Sequence, residues 1–149
     1  MPAIKLIHWA SSNTAEIVDL LQRGGYQVDS SLPKGSSFVR QLAEQPPAAI
    51  IIDLSRLPSQ GRDMAILIRR RRGTRQIPLV FVGGSPDKVA AVRMLLPDAV
   101  YTSWEEILQI LPEAIAHPPQ QPFVPDSAFA GYAGKSLIEK LGSLAFYAP

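Results

Sequence analysis

The chain has 149 residues, 46% hydrophobic and 19% charged, with a net charge of +2, which predicts one globular domain and gives no reason to expect a nucleic-acid or membrane partner. The absence of cysteine from the sequence excludes disulfides, thiol catalysis and thiolate metal sites. Since no signal peptide is seen and no apolar run approaches the roughly 20 residues that span a bilayer, we expect a soluble cytoplasmic protein.

Five short apolar runs, each followed by a helical pattern, divide the chain up to about residue 116. They predict strands over residues 3–9, 26–29, 48–53, 77–82 and 99–102. The third and fourth runs are apolar almost throughout, as expected for strands that helices cover on both faces. Crossovers this short force parallel strands with right-handed connections. The sequence therefore predicts an α/β fold, a doubly wound, three-layer α/β/α sandwich of the flavodoxin type with strand order 2-1-3-4-5.

Several residues predict where helices begin or bend. Asn13 and Ser103 are each followed three residues later by glutamate, the spacing of a capping box. Ser85 precedes a proline and an aspartate, which combines a cap, a proline in the first turn and an acid near the positive end of the helix dipole. Pro112 falls inside the last helical pattern and predicts a kink or a break there.

The third helical pattern carries both an apolar stripe and the densest positive charge of the chain. Met64, Leu67 and Ile68 have the spacing of a buried stripe. The basic residues that follow are Arg69, Arg70, Arg71, Arg72 and Arg75. They form either a solvated helix end, where cations favour the helix dipole, or a basic docking patch. Because no aromatic residues are interleaved, we expect no nucleic-acid partner.

Asp53 ends the third predicted strand, and open α/β sheets place their ligands and chemistry at the carboxyl ends of strands. The expected strand-end crevice is lined by His8, Trp9, Asp53, Gly83, Thr102 and Ser103. An aspartate in this position can also simply hold a loop amide or cap the next helix. The two histidines have no partners at metal-ligand or triad spacing, so we predict no catalytic residue, no metal and no cofactor.

The five strand–helix units, Asp53 and the segment IPLVFVGG together resemble the receiver domain of bacterial two-component response regulators. The resemblance covers residues 3 to 116 and implies a CheY-like fold. The segment DLSRLPSQG is similar to the receiver loop after the phosphorylated aspartate, with its glycine eight positions after Asp53, although its proline comes one position late. In receivers, an acidic pair after the first strand holds Mg²⁺, the aspartate takes the phosphoryl group, and a hydroxyl residue and a lysine contact the phosphoryl oxygens.

Three of these four parts are missing from the sequence. His8 and Trp9 follow the first strand where Mg²⁺ would need a carboxylate, Gly83 follows the fourth strand, and no lysine lies between Lys88 and Lys135. We therefore predict a non-catalytic pseudo-receiver that acts as a regulatory protein-interaction module in signal transduction. Two alternatives stay open: a receiver phosphorylated on Asp53, and a small enzyme or ligand-binding domain that uses the crevice.

The partner of such a module is not identified by the sequence, but the resemblance implies a homodimer. Receivers commonly pair through their fourth and fifth units. The corresponding residues here are Val89, Arg93, Tyr101 and Trp104.

A change of composition separates the receiver-like residues 1–116 from the rest of the chain. Five of the fourteen prolines lie between Pro112 and Pro125, which predicts an extended linker over 117–126. Residues 127–149 form a predicted tail with a short helix over 136–141. This tail resembles the opening of a small bacterial domain family of unknown function. Because it is rich in apolar residues, we expect it to pack on its own domain or on a neighbouring subunit.

Overall fold

The structure is a computed structural model that describes residues 1–9, 13–33 and 37–125. The strands are β1 (Ala3–Ile7), β2 (Gln27–Asp29), β3 (Ala49–Asp53), β4 (Leu79–Val82) and β5 (Val100–Thr102). The helices are α1 (Thr14–Arg23), α2 (Ser37–Glu44), α3 (Pro58–Arg70), α4 (Pro86–Leu95) and α5 (Ile107–Ala116). All five predicted strands are present, each one or two residues shorter than its apolar run.

The five strands form one parallel sheet in the order β2-β1-β3-β4-β5, which confirms the predicted topology. Along β3, Ile50 and Ile52 point into a core with residues of α2, α3 and α4. Ala49 and Ile51 point into a second core with residues of α1 and α5. This alternation is the period of two that a strand imposes on its side chains. The sheet is therefore covered on both faces.

The predicted apolar stripe of α3 is wrong at Leu67, which is 49% exposed. Ile68 is buried as predicted, together with Gly61 and Ala65, so that the buried positions are i, i+4 and i+7. Gly61 lies so close to the sheet that an added Cβ would come 2.8 Å from a methyl group of Ile52. Because Gly61 faces the sheet, the backbone of α3 lies close to the sheet and Leu67 points outward.

The helix starts follow the predictions only in part. Ser85 caps α4, its hydroxyl accepting from the Lys88 amide at 3.5 Å. The predicted capping box at Ser103 is wrong, because residues 103–106 form a turn in which the Glu106 amide donates to the Ser103 carbonyl, and α5 begins only at Ile107. Asn13 is the N-cap residue of α1, but its side chain makes no capping hydrogen bond. Pro112 lies inside α5 without dividing it.

Residues 117–125 follow α5 without forming a helix or a strand. The predicted tail over 127–149, with its short helix, lies outside the described residues. Among the helices of the described ranges, none is long and apolar enough to cross a membrane.

Candidate functional site

His8 and Asp53 meet at the carboxyl edge of the sheet. His8 directly follows β1 and Asp53 is the last residue of β3, two neighbouring strands whose register places Ile7 opposite Ile52. Nε2 of His8 lies 2.9 Å from Oδ2 of Asp53, and the two residues are only 5% and 3% exposed. Since a carboxylate oxygen only accepts, the Nε2–H group of His8 donates to it. The pair is a buried, charge-assisted contact.

Further hydrogen bonds hold both members of this pair. Nδ1 of His8 lies 2.9 Å from the hydroxyl of Thr14, the first residue of α1. The other oxygen of Asp53, Oδ1, accepts from the backbone amide of Ser55 at 2.8 Å and from its hydroxyl at 2.6 Å. The expected contact between Asp53 and a loop amide is therefore present. Both carboxylate oxygens have partners, and the imidazole is held at both nitrogens.

The loop after β4 closes over the carboxylate without offering it a hydroxyl group. Gly83 and Gly84 have φ values of +75° and +93°, a left-handed conformation that favours glycine. A Cβ added to Gly83 would lie 3.4 Å from Oδ1 of Asp53. The next hydroxyl, that of Ser85, caps α4.

An aromatic ring occupies the corner after β5. The Trp104 ring meets the imidazole of His8 edge-on, with 6.3 Å between the ring centroids and 72° between the ring planes. Thr102 is joined to the site through its backbone, because its carbonyl accepts from the amide of Gly83 at 3.3 Å. Within the described chain its hydroxyl oxygen is buried and has no hydrogen-bond partner. Among the residues that the structure describes, this corner therefore presents a ring and a hydroxyl and no cation.

The predicted crevice is thus only partly assembled. His8, Asp53 and Gly83 come together, Thr102 borders them, and Ser103 serves the turn before α5. Trp9 turns instead toward α3, where its ring lies near Gly61. Thr14, Ser55 and Trp104 also belong to the site, although the sequence did not predict them there. Ser55 carried a usable signal, since a serine two residues after an aspartate is the spacing of an Asx turn.

The basic patch predicted at the end of α3 is wrong at Arg69, whereas Arg70, Arg71 and Arg72 are exposed. Arg69 is fully buried, with Nη1 donating to the Arg75 carbonyl at 2.7 Å and Nη2 3.3 Å from Oδ1 of Asp98. Burial lowers the pKa of Arg69, and the charge of Asp98 opposes that shift. Arg75 turns back and donates to the carbonyls of Arg69 and Arg70. Arg75 therefore satisfies carbonyls at the end of the helix, and Arg69 holds the following loop from within.

Charge is sparse at the strand-end site itself. Within residues 1–9, 13–33 and 37–125, no group of three or more histidine, aspartate or glutamate side chains could hold a metal ion. Mg²⁺ prefers several oxygen ligands, and the carboxylate of Asp53 is already hydrogen-bonded to His8 and Ser55.

Solved structures share this architecture, although no protein-family model and no curated protein matches the chain. The receiver domain of the sensor histidine kinase PA1611 from Pseudomonas aeruginosa, solved with a magnesium ion in its active-site cleft, is 20% identical; the match has a TM-score of 0.57 and covers 78% of this chain and 98% of that one. The chemotaxis protein CheY4 from Vibrio cholerae is 18% identical, with a TM-score of 0.58 and coverages of 76% and 98%. The pseudo-receiver domain of CikA is 18% identical, with a TM-score of 0.56 and coverages of 80% and 100%.

Proposed function

We propose that this chain, which has the fold of CheY-like receiver domains, is a pseudo-receiver: a regulatory module that acts through protein contacts and is not phosphorylated on Asp53. The observation that carries the proposal is the hydrogen bond of 2.9 Å between Nε2 of His8 and Oδ2 of Asp53.

The first argument concerns Asp53 as a nucleophile. To form an acyl phosphate, a carboxylate oxygen must approach phosphorus in line with the leaving group. Oδ2 is covered by His8, and Oδ1 accepts two hydrogen bonds from Ser55. With 3% of its surface exposed, Asp53 presents neither oxygen to a phosphodonor.

The second argument concerns the charges that phosphoryl transfer requires. A metal ion and a cation normally neutralise the transferring group. Receiver domains have a carboxylate for Mg²⁺ at the end of β1, whereas this chain has the imidazole of His8. Its Nε2–H group is a hydrogen-bond donor and therefore not a metal ligand. The corner after β5, where the resemblance expects lysine, holds the Trp104 ring. These two side chains are in contact, so the missing parts are replaced by one packed unit.

The surface best suited to a partner is the face of α4, β5 and α5. The Arg93 guanidinium lies over the Tyr101 ring, 4.5 Å from its centroid, and the Tyr101 hydroxyl donates to the Leu96 carbonyl at 2.7 Å. Trp104 joins this face to His8. We propose that a second copy of the chain binds there through Val89, Arg93, Tyr101 and Trp104. Sedimentation at high micromolar concentration should find a dimer that Arg93→Glu weakens, and a monomer would refute this part of the proposal.

The phosphorylation test uses the full chain, a small-molecule phosphodonor and Mg²⁺, read out by intact mass. The expected result is no mass increase in the wild type or in Asp53→Asn. A gain of one phosphoryl group in the wild type that is lost in Asp53→Asn would overturn the proposal and favour a receiver that uses Asp53.

A matched variant tests whether His8 is what excludes the metal. His8→Asp places a second carboxylate beside Asp53, and two buried carboxylates repel each other until a cation binds. Mg²⁺ should therefore raise the melting temperature of His8→Asp, since a ligand that binds only the folded state stabilises it. Mg²⁺ should leave the melting temperature of the wild type unchanged. A similar rise in the wild type would show that His8 does not close the site.

A further inference from the structure

A groove between α2 and α3, which the proposed function does not use, has an apolar lining. Its volume is about 430 Å³, and it is lined by Pro33, Phe38, Val39, Met64, Leu67, Arg70 and Arg71. The groove lies along the face of α3 that points away from the sheet. Leu67 belongs to this face and is 49% exposed. The floor belongs to the core, because Phe38 is buried and both Val39 and Met64 pack on core residues.

The segment after α5 is bound to the domain by three polar contacts. The Gln76 side-chain amide donates to the Gln120 carbonyl at 3.0 Å, and the Phe123 amide donates to Oδ2 of Asp98 at 2.8 Å. Nη1 of Arg70 donates to the Pro125 carbonyl at 3.1 Å. The donors and acceptors on the domain side belong to separate parts of the chain. They fix the path of residues 120–125 across the surface.

This path ends at the groove. Pro125 is buried, and the arginine that holds its carbonyl, Arg70, is one of the groove residues. The next aromatic residue in the sequence is Phe129, four positions on, and Tyr132 follows three positions later. Four residues span at most about 13 Å. Along α3 the groove runs from Arg70 to Met64, which is seven helical residues or about 10 Å. Phe129 can therefore enter it directly from Pro125.

We propose that the groove between α2 and α3 is the docking site for the chain's own carboxyl-terminal segment, residues 127–141, with Phe129 and Tyr132 as its anchors. The anchored end of the linker favours this occupant over a separate partner, because it delivers an apolar segment to the groove at a high effective concentration. The docked segment would thereby cover Leu67 and the half-buried Met64.

The chain offers a clean test by nuclear magnetic resonance. It contains no cysteine and three methionines, so Ala133→Cys provides a single spin-label site in the full chain, and labelled methionine methyl groups provide three signals. Met64 reports on the groove, whereas Met94, 82% exposed on α4, serves as the control. The paramagnetic state should abolish most of the Met64 intensity relative to the chemically reduced state, and the Met94 intensity should persist.

Two controls separate this occupant from others. Leu67→Glu should restore the Met64 signal, and Ala91→Glu, an exposed change on α4, should not. A third sample mixes two kinds of chain: one carries the spin label and no isotope label, and the other carries the isotope label and no spin label. In this mixture the intensity of the Met64 signal should be unaffected. Loss of the Met64 signal in that mixture would assign the groove to the tail of a second copy and overturn the proposal. An unaffected Met64 in the singly labelled chain, or equal loss at Met94, would overturn it as well.

Discussion

Replacing His8 or Asp53 should destabilise the protein by clearly different amounts. His8→Leu removes the donor to Oδ2 of Asp53 and leaves a buried carboxylate oxygen without a partner. Removing the partner of a buried charged group and leaving that charge uncompensated typically costs about 3–5 kcal/mol. Because Ser55 still donates twice to Oδ1, at 2.8 and 2.6 Å, we expect the lower end of that range, about 3 kcal/mol.

Asp53→Asn should cost less because the site can adapt to it. The amide oxygen can accept from Ser55 as the carboxylate did, and the amide nitrogen would face Nε2 of His8. The imidazole accepts there if its proton moves to Nδ1, which then donates to the Thr14 hydroxyl 2.9 Å away. The exchange replaces charge-assisted hydrogen bonds by neutral ones, a difference of about 1 kcal/mol in the free energy of unfolding.

The double variant distinguishes a true pair from two independent residues. With His8→Leu and Asp53→Asn combined, no carboxylate is left unpaired, so the cost should fall short of the sum of the single costs by about 1–2 kcal/mol. Urea unfolding of the four full-length proteins measures this coupling, provided that the slope of free energy against urea concentration stays constant. Additive costs, or an Asp53→Asn cost as large as that of His8→Leu, would refute the pairing.

Three further predictions test other contacts. Asp98→Ala should lower the free energy of unfolding more than Arg69→Met, by about 1–3 kcal/mol in urea unfolding. Alanine leaves the buried guanidinium without its carboxylate, whereas methionine removes the charge, and the reverse order would contradict this. Tyr101→Phe should cost about 1 kcal/mol through the lost hydrogen bond to Leu96. Because burial raises the pKa of Tyr101, as it also raises that of Tyr26, absorbance titration should show one late-ionising phenol fewer in the variant than in the wild type. Burial alone would raise the pKa of Asp29, but hydrogen bonds from a neighbouring serine and the charge of a lysine lower it below its ordinary 3.8. The stabilising contribution of Asp29 is therefore present above pH 3.8 and is lost as the pH falls through the pKa of the folded state. Asp29→Asn should therefore cost under about 1 kcal/mol at neutral pH, since the side chain is exposed, and nothing in strong acid; an equal cost at both pH values would refute the assignment.

The strand order followed from the sequence because local signals determine it. Five apolar runs joined by short helical crossovers allow few topologies, and the run that ends in Asp53 is apolar enough to identify the central strand. The same reasoning placed His8, Asp53 and Gly83 at one edge of the sheet. What it left open was the hydrogen bonding there, because a contact of 2.9 Å between residues 45 positions apart depends on register and side-chain rotamers.

The errors share a physical cause, which is that burial depends on neighbours distant in sequence. Four consecutive arginines indicate a solvated surface, yet Arg69 is buried because Asp98, 29 residues later, and the Arg75 carbonyl receive its guanidinium. Leu67 looked like a core residue by spacing, yet the close approach of Gly61 to Ile52 rotates α3 and exposes it. Neither partner is evident from the local sequence.

Under the proposed function, the geometry of the site determines where the module could be switched. In the receiver domains that the chain resembles, the carboxylates of the site bind a metal ion from solution, so the state of that site depends on its ligands. Here His8 supplies the donor to Asp53 from the chain itself, and Trp104 packs against the same imidazole. The site is thereby satisfied without a ligand, and a chemical signal at Asp53 would first have to break a buried pair, a cost of about 3–5 kcal/mol. A change in state is therefore easier to produce at the surfaces, where the Arg93–Tyr101 stack and the groove beside Arg70 lie. If so, variants on those surfaces should alter binding to partners while leaving the coupling between His8 and Asp53 unchanged, and a surface variant that also abolished this coupling would contradict the argument.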